Sequence, residues 1–412
     1  MTTVRNAAPK APSRRKFMFT AAATGGGLAL GFPLPFTAAE AATKAGGSEV
    51  GAWVVINPDD SCVIRIARTE MGQGTLTGLA QLVAEELECD WKKVSTEFVH
   101  PAQNLARKRV WGEMSTGGSR GIRMSHDYVR RGGAAARGML LSAAAEQWKV
   151  PVEELTVANG IVSHAVSKRK TSYGKLAAAA AKLPVPDPKS VKLKVPGEWK
   201  VAGKAVNRLD TAGKLDGSVV YAIDFKLPGM IYAAVKDCPV FGGTVKGWDE
   251  SKIAGRPGFK KVVKVNDSTV AVIADTWWRA KTALEALPIQ WDEGPNAKVS
   301  SATIAEHLKS GLSGEAYANR NEGDALKNIE GAAKKVEAVY STPFLAHATM
   351  EPMNCSARYT KDRCEVWVPT QNAEASLAAA AEEAGLPLEK CEAYRHFLGG
   401  GFGRRGGNQD YT

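Results

Sequence analysis

Three short segments of this 412-residue chain combine glycine with small polar or basic residues at places where a backbone turns. The first is Glu70-Met71-Gly72-Gln73-Gly74-Thr75, the second Ser115-Thr116-Gly117-Gly118-Ser119-Arg120-Gly121, and the third runs from Gly399 to Gly407 around Phe402, Arg404 and Arg405. Glycines let peptide N–H groups approach an anionic or polar ligand closely, and a helix that starts at such a turn adds its positive end. In the first loop Gln73 offers both a donor and an acceptor, although a glycine-rich helix entry is also what any tight turn looks like. The second suits phosphate, and a solvated surface loop would have the same composition. The third carries one aromatic among six glycines, which a flexible linker would not need, so Phe402 reads as a pocket wall. Together they suggest one large ligand, anchored at several points and carrying a phosphate. Nucleotide signatures do not account for them: there is no G-x-x-x-x-G-K-[ST], and the third loop lacks the G-x-G-x-x-G order with a following acid.

The elements that must position these loops are legible from periodicity. Ala52–Ile56 and Cys62–Ile66 read as a hairpin across Asn57-Pro58-Asp59-Asp60. An amphipathic helix follows the first loop, with Leu79, Leu82, Val83 and Leu87 on one face and Glu85, Glu86 and Glu88 elsewhere. Residues 93–99 alternate as a strand. A long helix starts near Ser125 with Asp127 in its first turn, and Gly132-Gly133 within it predicts a kink or close packing. A strand pair surrounds Asn159-Gly160, and 183–200 is a Pro- and Lys-rich crossover or linker. From 204 to 293 short β-runs dominate: Val219–Tyr221, Met230–Val235, Lys261–Val265 and Val270–Ile273, then a helix Trp277–Leu287 and Ile289–Trp291. Residues 294–340 are polar and read as a linker. The last section predicts strand Cys364–Val368, helix Ala373–Ala384 stopped by Gly385, and strand Cys391–Phe397, running into the third loop. No internal repeat is apparent. The fold class is therefore α+β, with more than one domain for this length.

Composition narrows the chemistry. Hydrophobic residues make up 44% and charged residues 24%, a globular balance. Net charge is +11, but Arg5, Lys10, Arg14, Arg15 and Lys16 against Glu40 leave only +7 beyond residue 41. That excess is dispersed, without basic patches interleaved with aromatics, so nucleic acid is not an expected partner. The six cysteines include no C-x-x-C pair, so no iron–sulfur or zinc site is signalled and no metal ligand is assigned. Most read as small buried apolar residues, with disulfides open if the protein is exported. Residues 1–41 hold Ser13-Arg14-Arg15-Lys16-Phe17-Met18, an uncharged run from Phe19 to Phe36, and small residues near Ala38-Ala39-Glu40-Ala41. This resembles a twin-arginine export signal and predicts a periplasmic protein that folds around a prosthetic group before export. Gly25-Gly26-Gly27 and two prolines make the run a poor membrane anchor.

With these residues in view, the chain resembles the large subunit of molybdenum hydroxylases, the xanthine dehydrogenase/aldehyde oxidase superfamily. Its permuted branch, typified by the isoquinoline 1-oxidoreductase β-subunit, is the most similar. Thr69 to Gly74 is similar to the family segment at the molybdopterin dithiolene. Thr116, Gly117, Gly118 and Ser119 resemble the loop on its phosphate side, and Gly400, Gly401, Phe402 and Gly403 the loop beside molybdenum. Residues 204–293 resemble the family's α/β hammerhead domain, most clearly at Asp224–Tyr232, and the segment Pro343–Cys355 is also similar.

The resemblance implies a molybdopterin-binding segment of mixed sheets and helices over 42–200, the hammerhead, and the start of a second molybdopterin-binding segment over 341–412. It implies the molybdenum cofactor, as molybdopterin or its cytosine dinucleotide, contacted by Met71, Gly72, Gln73, Gly74, Thr116, Gly117, Gly118, Ser119, Gly400, Gly401, Phe402, Gly403 and Arg404. It implies hydroxylation of an N-heterocycle or oxidation of an aldehyde, with water as oxygen source. The implied partners are a small iron–sulfur subunit, a c-type cytochrome as a further acceptor, and a C-terminal half carrying the base glutamate beyond residue 412. No catalytic residue is assigned: Glu70 and Glu351 read as local structural carboxylates. His347, in an apolar strand, reads as a core histidine. Gly121 departs from a family hydroxyl position, and Leu345 stands near a glutamine position of some members. Two other readings fit the same loops: a truncated non-catalytic fragment, and a periplasmic anion-binding module.

Overall fold

A computed structural model describes residues 46–412 except 316, 318 and 321, so the twin-arginine segment lies outside the described residues. Contacts divide the chain into two units, one comprising residues up to Thr69 with Gly74–Ala212, the other Glu70–Gln73 with Gly213–Thr412.

The first unit is built on a four-stranded sheet in the order β1 (Ser48–Glu49), β2 (Val54–Ile56), β3 (Cys62–Ile66), β4 (Val94–Phe98). β2 and β3 form the expected antiparallel hairpin, closed where Asn57 N donates to Ser61 O at 2.9 Å. β3 and β4 are parallel and are connected through helix α1, Thr75–Leu87. The apolar face of α1 is buried at Leu76, Leu79, Val83 and Leu87. Its acidic face is buried as well, contrary to the amphipathic reading, because segment 194–202 crosses over it. Glu85 accepts the amides of Lys200, Val201 and Ala202 and the ammonium of Lys194, and Glu86 pairs with Arg130 at 2.6 Å.

The long helix α2, His126–Trp148, packs on α1. Its two glycines are sites of close approach: a Cβ on Gly132 would lie 2.3 Å from Trp53 Cδ1, and one on Gly133 2.4 Å from Val83 O. Ser125 occupies the N-cap position but does not cap with its side chain; its Oγ instead accepts from Arg68 Nε at 3.0 Å. A small antiparallel sheet of β5 (Leu155–Ala158), β6 (Ile161–His164) and β7 (Arg169–Ser172) turns at Asn159-Gly160 and leads into helix α3, Tyr173–Ala180.

In the second unit, β8 (Tyr232–Asp237), β10 (Phe259–Asn266) and β11 (Thr269–Ala274) form a sheet in the order β10-β11-β8, and β9 (Thr244–Trp248) pairs with β12 (Ile289–Asp292). Helix α4, Trp277–Ala286, closes their core of Ile253, Val270, Val272, Ala280, Ala283 and Leu284. Thr276 caps it by accepting from Arg279 N. The expected strand Val219–Tyr221 does not form; only a single bridge joins Tyr221 to Phe397. Residues 294–340 are not structureless: helix Ser301–Gly311 and a short helix Ala325–Glu330 occur there, with no buried residue in either.

The remaining sheet orders β13 (Ser356–Thr360), β14 (Arg363–Val368) and β15 (Cys391–Arg395). β13 is antiparallel and β15 parallel to β14, with helix α5, Ala373–Ala384, between them. Asn372 caps α5 by accepting from Ala375 N, and Gly385 ends it at φ 63°. One element order recurs in the structure without a repeat in the sequence. A hairpin, a helix, a 3-10 turn and a parallel strand occur in both units, as β2-β3-α1-β4 with Trp91–Lys93 and as β13-β14-α5-β15 with Leu388–Lys390. The likeness is one of topology, which periodicity along a sequence does not report.

Candidate cofactor-binding site

Two of the three glycine loops meet inside the second unit. Strand β15 runs out through Phe397 to the third loop, and Leu398 N donates to Glu70 O at 3.2 Å. Deeper in, Gly401 is buried against both the first loop and the end of β14: a Cβ there would lie 2.6 Å from Met71 Sδ and 2.6 Å from Gln371 Oε1. Only glycine fits this position. The loop's next residue, Phe402, has φ 51° and is 68% exposed, so its ring does not fill a core. Gly72, Gln73 and Gly403 are also exposed. The arrangement is a buried junction of Met71, Gln371 and Gly401 beneath an exposed rim from two loops. It lies at the C-terminal end of parallel strands, where ligand sites of α/β sheets gather.

The third loop is held by Arg405 and Glu351, through contacts that their local sequence does not announce. Arg405 is fully buried and donates to Gly400 O at 3.0 Å, to Pro369 O at 3.2 Å and to Glu351 O. Its guanidinium also faces Glu351 Oε2 at 3.4 Å. Burial, the largest influence, pulls Arg405 below the ordinary guanidinium range, and the Glu351 carboxylate opposes that. Glu351 itself accepts from Ile223 N, Asn354 Nδ2 and Gly399 N. It is therefore the structural carboxylate expected, with a wider reach than its local sequence suggests. Arg404 forms a two-pronged ion pair with Asp410 at 2.9 and 2.6 Å, which lowers the Asp410 carboxyl and raises the guanidinium. The signal for Gln371 was its place between the end of β14 and the Asn372 cap. For Arg405 it was one of two adjacent arginines in a turn too tight to expose both.

Two hydrogen bonds within the first loop shape its turn. Met71 N donates to Gln73 Oε1 at 2.8 Å and Gly72 N to Glu70 Oε1 at 2.8 Å, so Glu70 is buried in a local role. His347 corrects its expectation: it is exposed, in a segment that forms no strand, because nothing in the described residues packs over it. Leu345 is likewise 78% exposed.

The second loop belongs to the first unit. Thr116 is turned inward, its Oγ1 accepting from Thr69 N at 2.9 Å, while Gly118 and Ser119 are exposed. Ser119 takes φ 55° at the entry of a short helix, Arg120–Arg123. Gly121 has a packing reason for lacking a side chain, since a Cβ would press 3.2 Å from Thr75 Oγ1. Gly74 starts α1 at φ 88°. Apart from these loops, one cavity of about 100 Å³ lies beside Glu85, Cys89 and Lys194 in the first unit and one of about 400 Å³ beside Trp277, Lys281 and Met353 in the second.

These residues fit a pterin-type cofactor in one specific respect: glycine at 401 lets the third loop pack directly on the Met71 thioether and the Gln371 carboxamide, which brings the exposed residues Gly72, Gln73, Phe402 and Gly403 of two loops into the same unit. Comparison with known proteins is consistent with this geometry. Molybdopterin cofactor-binding domain families match residues 7–225, over half of the chain, and residues 309–411. The chain is 29% identical over 422 residues to the membrane-bound aldehyde dehydrogenase (pyrroloquinoline-quinone) of Gluconacetobacter polyoxogenes, covering 95% of this chain and 52% of that protein. It is 27% identical over 446 residues to the isoquinoline 1-oxidoreductase β-subunit of Brevundimonas diminuta, covering 95% and 56%. To a nicotinate dehydrogenase subunit of Pseudomonas putida it is 26% identical over 359 residues, covering 84% and 29%. The chain thus spans about half the length of the first two relatives. It belongs to the molybdopterin cofactor-binding family, as a relative of molybdenum hydroxylase large subunits.

Proposed function

We propose that the chain forms part of a molybdenum-cofactor oxidoreductase that hydroxylates an N-heterocycle or oxidises an aldehyde, taking oxygen from water. The observation that supports this most is the junction of Met71, Gln371 and Gly401, three segments far apart in sequence that pack together only because position 401 has no side chain, with Gly72, Gln73, Phe402 and Gly403 exposed around it. Met71, Gly72, Gln73, Gly400, Gly401, Phe402 and Gly403 would hold the cofactor in the second unit. Within the first unit, Thr116, Gly117, Gly118 and Ser119 offer a turn suited to phosphate, and Gly74 a helix start suited to a polar group. When bound, the cofactor supplies the redox chemistry, while the chain supplies shape and hydrogen bonds. The dinucleotide form, residues 204–293 as a hammerhead domain, a small iron–sulfur partner, a c-type cytochrome acceptor and export to the periplasm by the twin-arginine route belong to the same proposal.

The test is elemental analysis of the purified protein together with fluorescence of its oxidised pterin. Molybdenum and pterin in equal amounts, both lost in Gly401→Val, are expected. A quinone chromophore without molybdenum, or retention of an anion with no metal, overturns the reading.

A further inference from the structure

The cavity of about 400 Å³ in the second unit is lined by none of the glycine loops. It runs between residues 233–236 of β8 and one face of α4, where Trp277, Lys281 and Leu284 recur at helical spacing with Glu285 beside them, and Met353 also lines it. Its indole wall stays open to solvent: Trp277 is 51% exposed, and the neighbouring Trp278 64%. Adjacent exposed indoles are costly to leave in water and mark binding surfaces. One cation stands beside both, with Lys281 Nζ 5.5 Å from the centre of the Trp277 ring and 5.6 Å from that of Trp278. The same ammonium faces Glu285 Oε1 at 3.6 Å, in a pair exposed enough (41% and 63%) to contribute under about 1 kcal/mol. The rings thus hold the ammonium in place while its ion pair is cheaply exchanged. β8 adds directional groups, because it is the edge of the β10-β11-β8 sheet. Antiparallel pairing with β11 uses only alternate residues, so the others turn their N–H and C=O groups away from the sheet.

We propose that this cavity binds a small aromatic carboxylate, its ring against Trp277 and its carboxylate on Lys281 in place of Glu285. The volume lies within the range of small-ligand sites, and the lining has their usual make-up, apolar walls with a few polar groups. A neutral hydrocarbon would use the indole but neither the ammonium nor the β8 edge. An aliphatic acid would use the ammonium and leave the indole wet. An aromatic cation would be drawn to Glu285 but repelled by Lys281, which already flanks both rings. A ring that carries an anion meets every wall: apolar area against Trp277, Leu284 and Met353, charge against Lys281, and an outward β8 amide for the second carboxylate oxygen. The site depends neither on the molybdenum cofactor nor on the proposed reaction.

The test titrates the full chain into 4-fluorobenzoate and follows the fluorine NMR line width. Saturable binding with a Kd of about a millimolar or tighter is expected. Lys281→Met and Trp277→Ala should each weaken it about threefold or more, through loss of the charge and of the ring. Glu285→Gln should strengthen it by about twofold, because it removes the carboxylate that competes for Lys281. 4-Fluorobenzylamine, the same ring with a positive charge, should bind about tenfold more weakly or worse. All three side chains are largely exposed, so the variants should melt within about 2 °C of the parent. Four results overturn the inference. Absence of saturation at roughly ten times the expected Kd means that there is no such site. Equal affinity in the parent, Lys281→Met and Trp277→Ala places the ligand elsewhere on the chain. Weaker binding in Glu285→Gln makes that carboxylate a partner of the ligand rather than its competitor. Preference for the amine makes the cavity a cation site. The last two comparisons need neither Trp277 nor Lys281 to be replaced, so they decide the matter even if those variants fold poorly.

Discussion

Glu351 and Gly399 clamp each other: the Glu351 amide donates to the Gly399 carbonyl at 3.0 Å, and the Gly399 amide donates to the Glu351 carboxylate at 2.9 Å. Gly399 has no space for a side chain, since a Cβ would meet Glu351 Cβ at 2.3 Å. The clamp fixes the start of the third loop, and Arg405 fixes its end on the same residue. Replacing Glu351 by Ala leaves Arg405 buried without its carboxylate and the Gly399 amide without an acceptor. We expect a loss of about 3–5 kcal/mol for the second unit, measured by urea unfolding. Glu351→Gln keeps the shape and should cost less. An Ala variant as stable as the parent would show that the clamp is incidental.

Gly401→Ala tests the junction itself. Its added methyl would stand 2.6 Å from both Met71 Sδ and Gln371 Oε1, so one of them must move. Overpacking of this kind costs about 1–3 kcal/mol. The cofactor should be lost far more completely than stability, with pterin content down at least about tenfold. Gly385→Ala, at the end of α5, is the control: a Cβ there meets nothing, and the φ of 63° makes it costly by about 1 kcal/mol through strain alone. Equal pterin loss in both variants would count against a ligand at Gly401.

Helix α2 gives a prediction of opposite sign to the usual one. Gly→Ala in a helix interior ordinarily stabilises by about 1 kcal/mol. At Gly133 the methyl would lie 2.4 Å from the Val83 carbonyl of α1, so separating the helices outweighs that gain. We expect Gly133→Ala to lower the Tm of the first unit by several degrees and Gly138→Ala, which faces open space, to leave it unchanged or raise it.

How far the sequence reached can be judged residue by residue. The bounds of α5 were legible because Asn372 caps it and Gly385 stops it, both local signals. The close packing at Gly132-Gly133 was legible as one of two outcomes, since a glycine pair inside a helix needs a reason. β9 and β13 were not, because their half-exposed patterns mix Lys, Arg and Thr with apolar residues. The loop positions were legible, yet the residues that fix them were not. Gln371 and Arg405 meet partners tens of positions away, which an isolated sequence window does not supply, and Glu351 was legible as a structural carboxylate but not in its reach to Ile223, Gly399 and Arg405. Glu85 and Glu86 misled for the same reason: the amides that satisfy them come from residues 194–202.

Glu85 also carries a pH dependence. Burial alone would raise its carboxyl above the ordinary value of 4.5; the Val201, Ala202 and Lys200 amides and Lys194 outweigh this and hold it lower. A carboxyl depressed in the folded state binds its proton less tightly there than in the unfolded chain. Its stabilising contribution is therefore full above about pH 4.5 and is lost as pH falls through the folded value. Glu85→Gln should destabilise the first unit by about 1–3 kcal/mol at pH 7, and the gap from the parent should narrow at pH 3.5 in parallel urea titrations. A gap that widens on acidification would contradict the direction of the shift.

Arg404 was expected to contact the cofactor, and in the structure it pairs with Asp410. The pair is partly open to solvent, with side chains 27% and 47% exposed, so breaking it should cost less than about 1 kcal/mol. That small cost makes a discriminating comparison possible. If Arg404 only positions the loop, Arg404→Ala and Asp410→Asn remove the same interaction and should have the same modest effect on pterin content. If Arg404 instead swings to an anionic group of the cofactor, Asp410 is its competitor. Arg404→Ala should then lower pterin content, Asp410→Asn should preserve or raise it, and the difference should shrink as salt screens the exposed charges. We expect the two variants to diverge, because a charged side chain held by a half-exposed carboxylate beside Gly401 is cheaply released to a multiply charged ligand. Matching pterin contents across a salt series would assign Arg404 to the loop alone.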